Sequence, residues 1–239
     1  MYNMHFRLLR IDLTSLTIKK EELADFIIDT YLGGRGLGVR LFFDEINDSY
    51  FKNTDYKSSP IFFMTGPVTG SKAPLSGRFH SVFHSPLTNT ICDSSCGGKA
   101  GVFLKTLGID GIIVTGYASK PLYLLVEEDN VTLKDAGLLA EKTISVKERL
   151  IKDLHGDEIS TILIGPKVEN NCLFASAVSD RRFFGRGGLG TIMGLKNLIG
   201  IVVKKGSKRQ DEPVDVEKFN YVVEEAKKWI HGNPITSQG

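Results

Sequence analysis

The chain has 239 residues, 41% of them hydrophobic, enough to bury a full core in one large domain or two fused halves. With 30 basic and 28 acidic residues the formal charge is +2, so no general field draws the chain to nucleic acid or to a membrane surface. Three cysteines cannot all pair, the start MYNMHFRLLRIDL has no continuous apolar h-region, and no apolar run approaches the ~18 residues of a membrane span. The expectation is a cytoplasmic protein with reduced thiols.

Glycine is the unusual residue, at 25 against 8 prolines. Clustered glycines in a chain with good apolar content point to close backbone approaches, not disorder. FRLLRIDLTSLTIKK predicts one or two strands around a turn at Thr14-Ser15, and EELADFIIDTYL places Leu23, Phe26 and Ile27 at helical spacing. GGRGLGVRLFFDEI, from Gly33, opens a second helix. SSPIFFMTGP reads as a short buried strand stopped at Gly66-Pro67, and RFHSVFHSP as an alternating strand, with Phe79, Ser81 and Phe83 opposite Arg78, His80, Val82 and His84.

The same grammar then recurs. CGGKAGVFLKTLG leads from Gly-Gly into a short helix, IDGIIVTG and PLYLLVEED predict strands, and an amphipathic helix is expected from about Leu138 to Leu154. STILIGP ends in Gly-Pro like IFFMTGP, CLFASAVSD is a further alternating strand, and FGRGGLGTIMGLKNL leads through a helix into the strand IGIVVKKG. The repeated order predicts an α+β fold built by internal duplication, with halves at roughly 1–90 and 91–206. By composition 207–214 is a linker, and 215–239 opens a helical segment with Phe219, Val222, Val223, Ala226 and Trp229 on one face, read as the truncated start of a following domain.

Three glycine clusters, CGGKAG, GGRGLG and FGRGGLG, each run into a helix and each hold a cation: Lys99, Arg35 and Arg186. Unpaired N–H groups without a β-carbon in the way suit phosphate, and tight helix-to-sheet packing is the competing reason for such glycines. GRGGLG, 185–190, also fits the G-x-G-x-x-G fingerprint, but the strand that should end in an acidic residue ends in Lys204-Lys205, which leaves an NADP or other nucleotide site as an alternative. Arg78, Arg181, Arg182 and Arg186 suit phosphate or pterin ring edges. Cys92, Cys96 and Cys172 match no zinc or cluster spacing, so buried apolar thiols are expected. No Ser-His-Asp, Cys-His or H-E-x-x-H arrangement is present, so the catalytic residue set of this chain is empty.

With YLGGRGLG, IFFMTGPVTGSKAPLSGRF, HSPLTNTI, SCGGKAGVFLKTLGIDGIIVTG and DRRFFGRGGLGTIMGLKNL in this order, residues 1 to 205 resemble the first domain of tungsten-dependent aldehyde:ferredoxin oxidoreductases. The resemblance implies two similar α+β halves, each with a curved, mainly antiparallel sheet, forming the base of a bis-pterin site. It implies an enzyme that oxidises a small aldehyde to the acid at tungsten or molybdenum and passes electrons through a [4Fe–4S] cluster to ferredoxin. The cluster and catalytic residues are then expected outside this chain, with a homo-oligomer left open and no nucleic-acid or membrane partner. A stand-alone phosphate or pterin carrier is a further alternative. By resemblance Ser95, Cys96, Gly97 and Gly98, and Arg182, Phe183, Gly185, Arg186 and Gly187, hold the pterin phosphates. Mg²⁺ takes the backbone carbonyls of Ser95 and Phe183, and Arg78 contacts one pterin. The chain departs from the family at Ser95-Cys96, where Asn-Ser is common, and at GPKVENN, Gly165 to Asn171.

Overall fold

The computed structural model describes residues 6–47, 49–52, 55–166, 172–207 and 213–237. Within them the chain forms two six-stranded mixed sheets with helices on each, an α+β architecture. The first sheet contains β1 (Arg7–Asp12), β2 (Thr17–Glu22), β3 (Ile61–Met64), β4 (Phe79–Ser85), β5 (Thr90–Cys96) and β6 (Gly111–Thr115), in the order β2-β1-β6-β3-β4-β5. The second contains β7 (Leu122–Val126), β8 (Val131–Asp135), β9 (Ile159–Leu163), β10 (Ala177–Ser179), β11 (Arg182–Phe184) and β12 (Leu198–Lys204), in the order β11-β10-β9-β12-β7-β8.

Matched strand for strand, the two orders are the same. Each sheet opens with a hairpin, β1–β2 or β7–β8, whose first strand runs parallel to the sheet's last, β6 or β12. The remaining pairings in both are antiparallel. Glycines follow the repeat: Gly98, Gly101 and Gly111 stand where the second copy has Gly187, Gly190 and Gly200, all at one offset. The duplication is therefore real, but its boundary is the β6–β7 connection at 116–121, not the expected residue 90. The CGGKAG cluster closes the first copy and FGRGGLG closes the second. GGRGLG, which suggested the starts, has no glycine counterpart before the second copy's helix.

Both faces of the first sheet are covered. On its outer face α1 (Asp25–Tyr31) and α2 (Gly34–Glu45) pack Ile28, Leu37, Leu41 and Phe42 against Leu8, Phe62, Met64, Val82 and Ile113. Gly38 permits that approach, since a β-carbon there would sit 2.8 Å from Val82 Cγ2. On its inner face Leu9, Ile61, Phe63, Phe79 and Phe83 join one core with Leu124, Ile162, Phe184 and Ile201 of the second sheet. The expected alternation of β4 into a buried and an open face is thus absent: six of its seven residues are buried, because α2 covers the side expected to be polar.

Between the edge strands and the sheet centres run two short helices, α3 (Ala100–Thr106) and α5 (Leu189–Leu195); α3 packs on β9 and β12, and α5 on β12 and β4. The amphipathic helix α4 (Ile144–His155) starts six residues later than expected, after turns at 137–142. CLFASAVSD forms only the three-residue β10. The expected linker lies mostly in 208–212, outside the described residues, as does the 167–171 part of GPKVENN. Beyond it α6 (Val216–Gly232), capped by Asp215 accepting from Lys218 N, buries Val223 and leaves Val222 and Trp229 exposed. The terminal turn residues form a short helix, α7 (Pro234–Ser237). No helix among the described residues is long and apolar enough to cross a membrane.

Candidate functional site

The two edge strands β5 and β11 are equivalent in the repeat, and the loops that leave them meet. After β5 the chain turns through Gly97 and Gly98 into α3; after β11 it turns through Gly185, Arg186 and Gly187 towards α5. The packing is reciprocal. Gly98, at φ +97°, lies against the β10–β11 turn, where a β-carbon would be 3.1 Å from both Ser179 O and Asp180 Oδ2. Gly187, at φ +77°, lies against β4 and β5, where a β-carbon would collide with Cys92 Sγ. Neither conformation nor space admits a side chain at these two positions.

Around this junction the structure gathers the residues singled out by sequence. Arg78, immediately before β4, donates to Ser95 Oγ at 3.3 Å across the β4–β5 pair. Arg182 passes over the first loop, its Cγ 3.6 Å from where a β-carbon on Gly97 would stand. Arg186 reaches back to β5, with Nε 3.0 Å from Asp93 O and Nη2 3.1 Å from Asp93 Oδ1. Arg35, from the third glycine cluster, points to the same carboxylate at 3.9 Å. All three clusters therefore contribute to one region. Arg78, Arg182, Phe183, Gly185 and Arg186 are exposed, Ser95, Gly97 and Gly98 half-buried, and Cys96 and Gly187 buried.

Two carboxylates organise the junction, Asp93 holding guanidinium groups and Asp180 the first loop, and sequence reasoning missed both. Asp180 Oδ2 accepts from Lys99 N at 2.6 Å and from Ser160 Oγ at 2.5 Å, tying the first loop to the second sheet. Asp93 stands two residues before Ser95 on the same strand face, a spacing the sequence did display. His80, opposite Ser95, has its Nδ1 4.0 Å from Asp93 Oδ2. Burial, with Arg35 and Arg78 nearby, holds that imidazole below its ordinary value against the pull of Asp93, so it is neutral at pH 7.

Of the three cysteines expected to be buried, only Cys96 is; Cys92 and Cys172 are half-buried. Burial pushes Cys96 up to about 11 and raises Cys92 as well, so neither is a thiolate at neutral pH. Among the described residues no three His, Cys, Asp or Glu side chains are placed to hold a metal ion. Ser95 and Phe183 both lie on edge strands, each with one side lacking a strand neighbour in its sheet.

The nucleotide alternative for GRGGLG fails on topology. β11 runs antiparallel to β10, β10 to β9 and β9 to β12, so β11–α5–β12 is not the parallel crossover on which a dinucleotide lies. Two of its glycines are also consumed by packing: a β-carbon on Gly190 would be 2.6 Å from Ser176 O, and one on Gly188 would strike Leu173 O.

Residues 8–205 match the family model described as aldehyde ferredoxin oxidoreductase, N-terminal domain. Over its whole length the chain is 36% identical to a tungsten-containing aldehyde ferredoxin oxidoreductase of Pyrococcus horikoshii, of which it spans 39%. It is 31% identical over 94% of its length to an aliphatic sulfonate oxidoreductase, WOR-like subunit, of Pyrococcus furiosus, spanning 38% of that protein. Among solved structures, the active site complex BamBC of benzoyl coenzyme A reductase with 1,5-dienoyl-CoA aligns with a TM-score of 0.89 and 26% identity, over 96% of this chain and 35% of that one.

Proposed function

The chain belongs to the aldehyde ferredoxin oxidoreductase family, and on that premise we propose that it is the domain on which a tungsten or molybdenum bis-pterin cofactor lies in an enzyme that oxidises aldehydes to acids. The observation that carries the reading is the meeting of two equivalent glycine loops, 97–98 and 185–187, beneath exposed guanidinium groups. The residues fit a ligand with two phosphates. Each loop presents main chain without a β-carbon in the way, and Arg78, Arg182, Arg186 and Arg35 outnumber Asp93 and Asp180, both already engaged.

In this reading the loop at Ser95–Gly98 holds one pterin phosphate and the loop at Arg182–Gly187 the other. Arg78, steadied by Ser95 Oγ, faces a pterin edge; Phe183, 60% exposed, offers a ring face to the ligand. Ser95 and Phe183 would hold a Mg²⁺ ion by their backbone carbonyls, where it would offset phosphate charge, in keeping with a region that offers no carboxylate cage among the described residues. When bound, such a cofactor would supply two-electron oxidation, with a [4Fe–4S] cluster and ferredoxin as the electron acceptors outside this chain. The chain's own contribution is binding and orientation: a rigid two-sheet base, neutral thiols that do not compete for the metal, and a neutral His80 that adds no charge. Substrate selection then belongs to the rest of such an enzyme, as the differing names of the relatives suggest.

Arg182→Ala in the full-length enzyme tests the assignment. Tungsten per chain by plasma mass spectrometry and pterin per chain by fluorescence after oxidation should both fall severalfold; wild-type occupancy of both would refute the phosphate role.

A further inference from the structure

Asp93 places a carboxylate inside a site read as binding anions, and its contacts explain why it is tolerable there. Arg186 sits on a loop between Gly185 and Gly187, with its side chain 66% exposed; alone, such a guanidinium samples many rotamers. It is held at two points by one residue, Nε on the main-chain carbonyl and Nη2 on Oδ1 of Asp93. Asp93 is itself 20% exposed and fixed in the β4–β5 ladder opposite Val82. Arg35 approaches the same Oδ1; the other titratable groups facing Asp93 among its described contacts are His80, neutral at pH 7, and the Cys92 thiol, which burial raises and which is uncharged there too. One anion between two guanidinium groups leaves the cluster with a net positive charge. The N–H groups of Arg186 that Asp93 does not take remain available on the exposed side.

We propose that Asp93 is a positioning residue of the phosphate site: it aims Arg186, and through the shared oxygen Arg35, at a phosphate-bearing ligand. The proposal rests on the phosphate reading given above and adds to it the residue that sets the geometry. Its signature is a sign that plain electrostatics would reverse. Were Asp93 only a competing negative charge, any neutral substitution would tighten anion binding. If it positions Arg186, Asp93→Ala weakens binding although a negative charge is removed, whereas Asp93→Asn, which keeps an oxygen able to accept from Nη2, binds as well as wild type or better.

The measurement is calorimetric titration of the full chain with inorganic pyrophosphate at low salt, with melting temperatures recorded for every variant. The expected result is a loss of about two- to fivefold for Asp93→Ala, as befits an exposed ion pair, and no loss for Asp93→Asn. Asp93→Ser, too short to reach Arg186, serves where the alanine variant does not fold. Tighter binding in the alanine or serine variant overturns the positioning role. The phosphate reading has its own control: Arg186→Ala must weaken pyrophosphate binding, and if it does not, or if wild type does not bind, that reading falls and this one with it.

Discussion

Lys196 shows how a single buried side chain sets a property of the whole molecule. It is fully buried at the C-cap of α5, and its Nζ donates to Lys57 O at 2.6 Å and Gly116 O at 2.7 Å. Desolvation, opposed by the more distant Asp55 and Asp12, pushes the ammonium down to about 7, against ~10.4 in an unfolded chain. Below pH 7 both states are protonated and the folded state bears the full cost of a buried cation. Above it the folded state releases the proton while the unfolded state keeps it, so stability rises from pH 7 towards 10. The neutral amine still has two hydrogens for its two carbonyls. We therefore expect the melting temperature to rise between pH 7 and 9, and that rise to shrink in Lys196→Met, the part that remains above pH 8 coming from buried Lys147, which desolvation pushes down to about 8; an unchanged increment in the variant would exclude Lys196 as a source. A lysine in GLKNL reads as a solvated helix end, and only the tertiary arrangement, with the carbonyls of Lys57 in a turn and of Gly116 just past β6 beside it, reveals its placement. Asp93 and Asp180 were hidden for the same reason. The glycines and arginines of the site were legible because their chemistry is local, whereas a carboxylate's role depends on what crosses to it from another sheet.

Among the elements, β11 carries the largest consequence for its length. It has three residues and pairs only with β10, yet it bears Arg182 and Phe183 and leads into the second glycine loop. What fixes it is Phe184, fully buried, with ring centroids 5.1 Å from Phe79 and 5.9 Å from Phe63 in edge-on contact. Phe184→Ala should cost about 3–5 kcal/mol and free the 182–187 segment. A lowered melting temperature together with faster amide exchange across 182–187 checks this. A destabilised variant with unchanged exchange there would show that the loop is held by something else. The sequence does not announce this hairpin, because its two turn residues, Asp180 at φ +46° and Arg181 at φ +66°, adopt left-handed conformations without the glycine or asparagine that usually marks such a turn. The β7–β8 hairpin is only half legible, β8 being a short edge strand whose apolar alternation amounts to Val131 and Leu133. The longer apolar strands and helices were readable, since burial on both faces leaves continuous apolar runs.

At the scale of the molecule, duplication and function are one arrangement: the repeat brings β5 and β11 to equivalent edges, and each copy's closing glycine loop packs on the other copy's hairpin. Sequence pattern discloses the repeat but misplaces its boundary by two strands and a helix, β5, α3 and β6, because a glycine cluster before a helix reads as an opening and two of the three are closings. The reciprocal packing also means that the core between the two sheets belongs to neither copy alone, although the first copy keeps its own outer-face core under α1 and α2. Phe63, Phe79 and Phe83 of the first copy share one apolar cluster with Leu124, Ile162, Phe184 and Ile201 of the second. A segment covering 1–117 would complete the first sheet and still leave that inner face open to water, with no partner for the phenylalanines. It should bind a hydrophobic dye and melt without a cooperative transition, while the complete chain unfolds the two sheets in a single calorimetric transition. A sharp, reversible melt of the 1–117 segment would show instead that the copies fold independently. The phosphate site would then assemble only on docking of the copies, and pyrophosphate would raise the melting temperature of the joined chain but not of the segment.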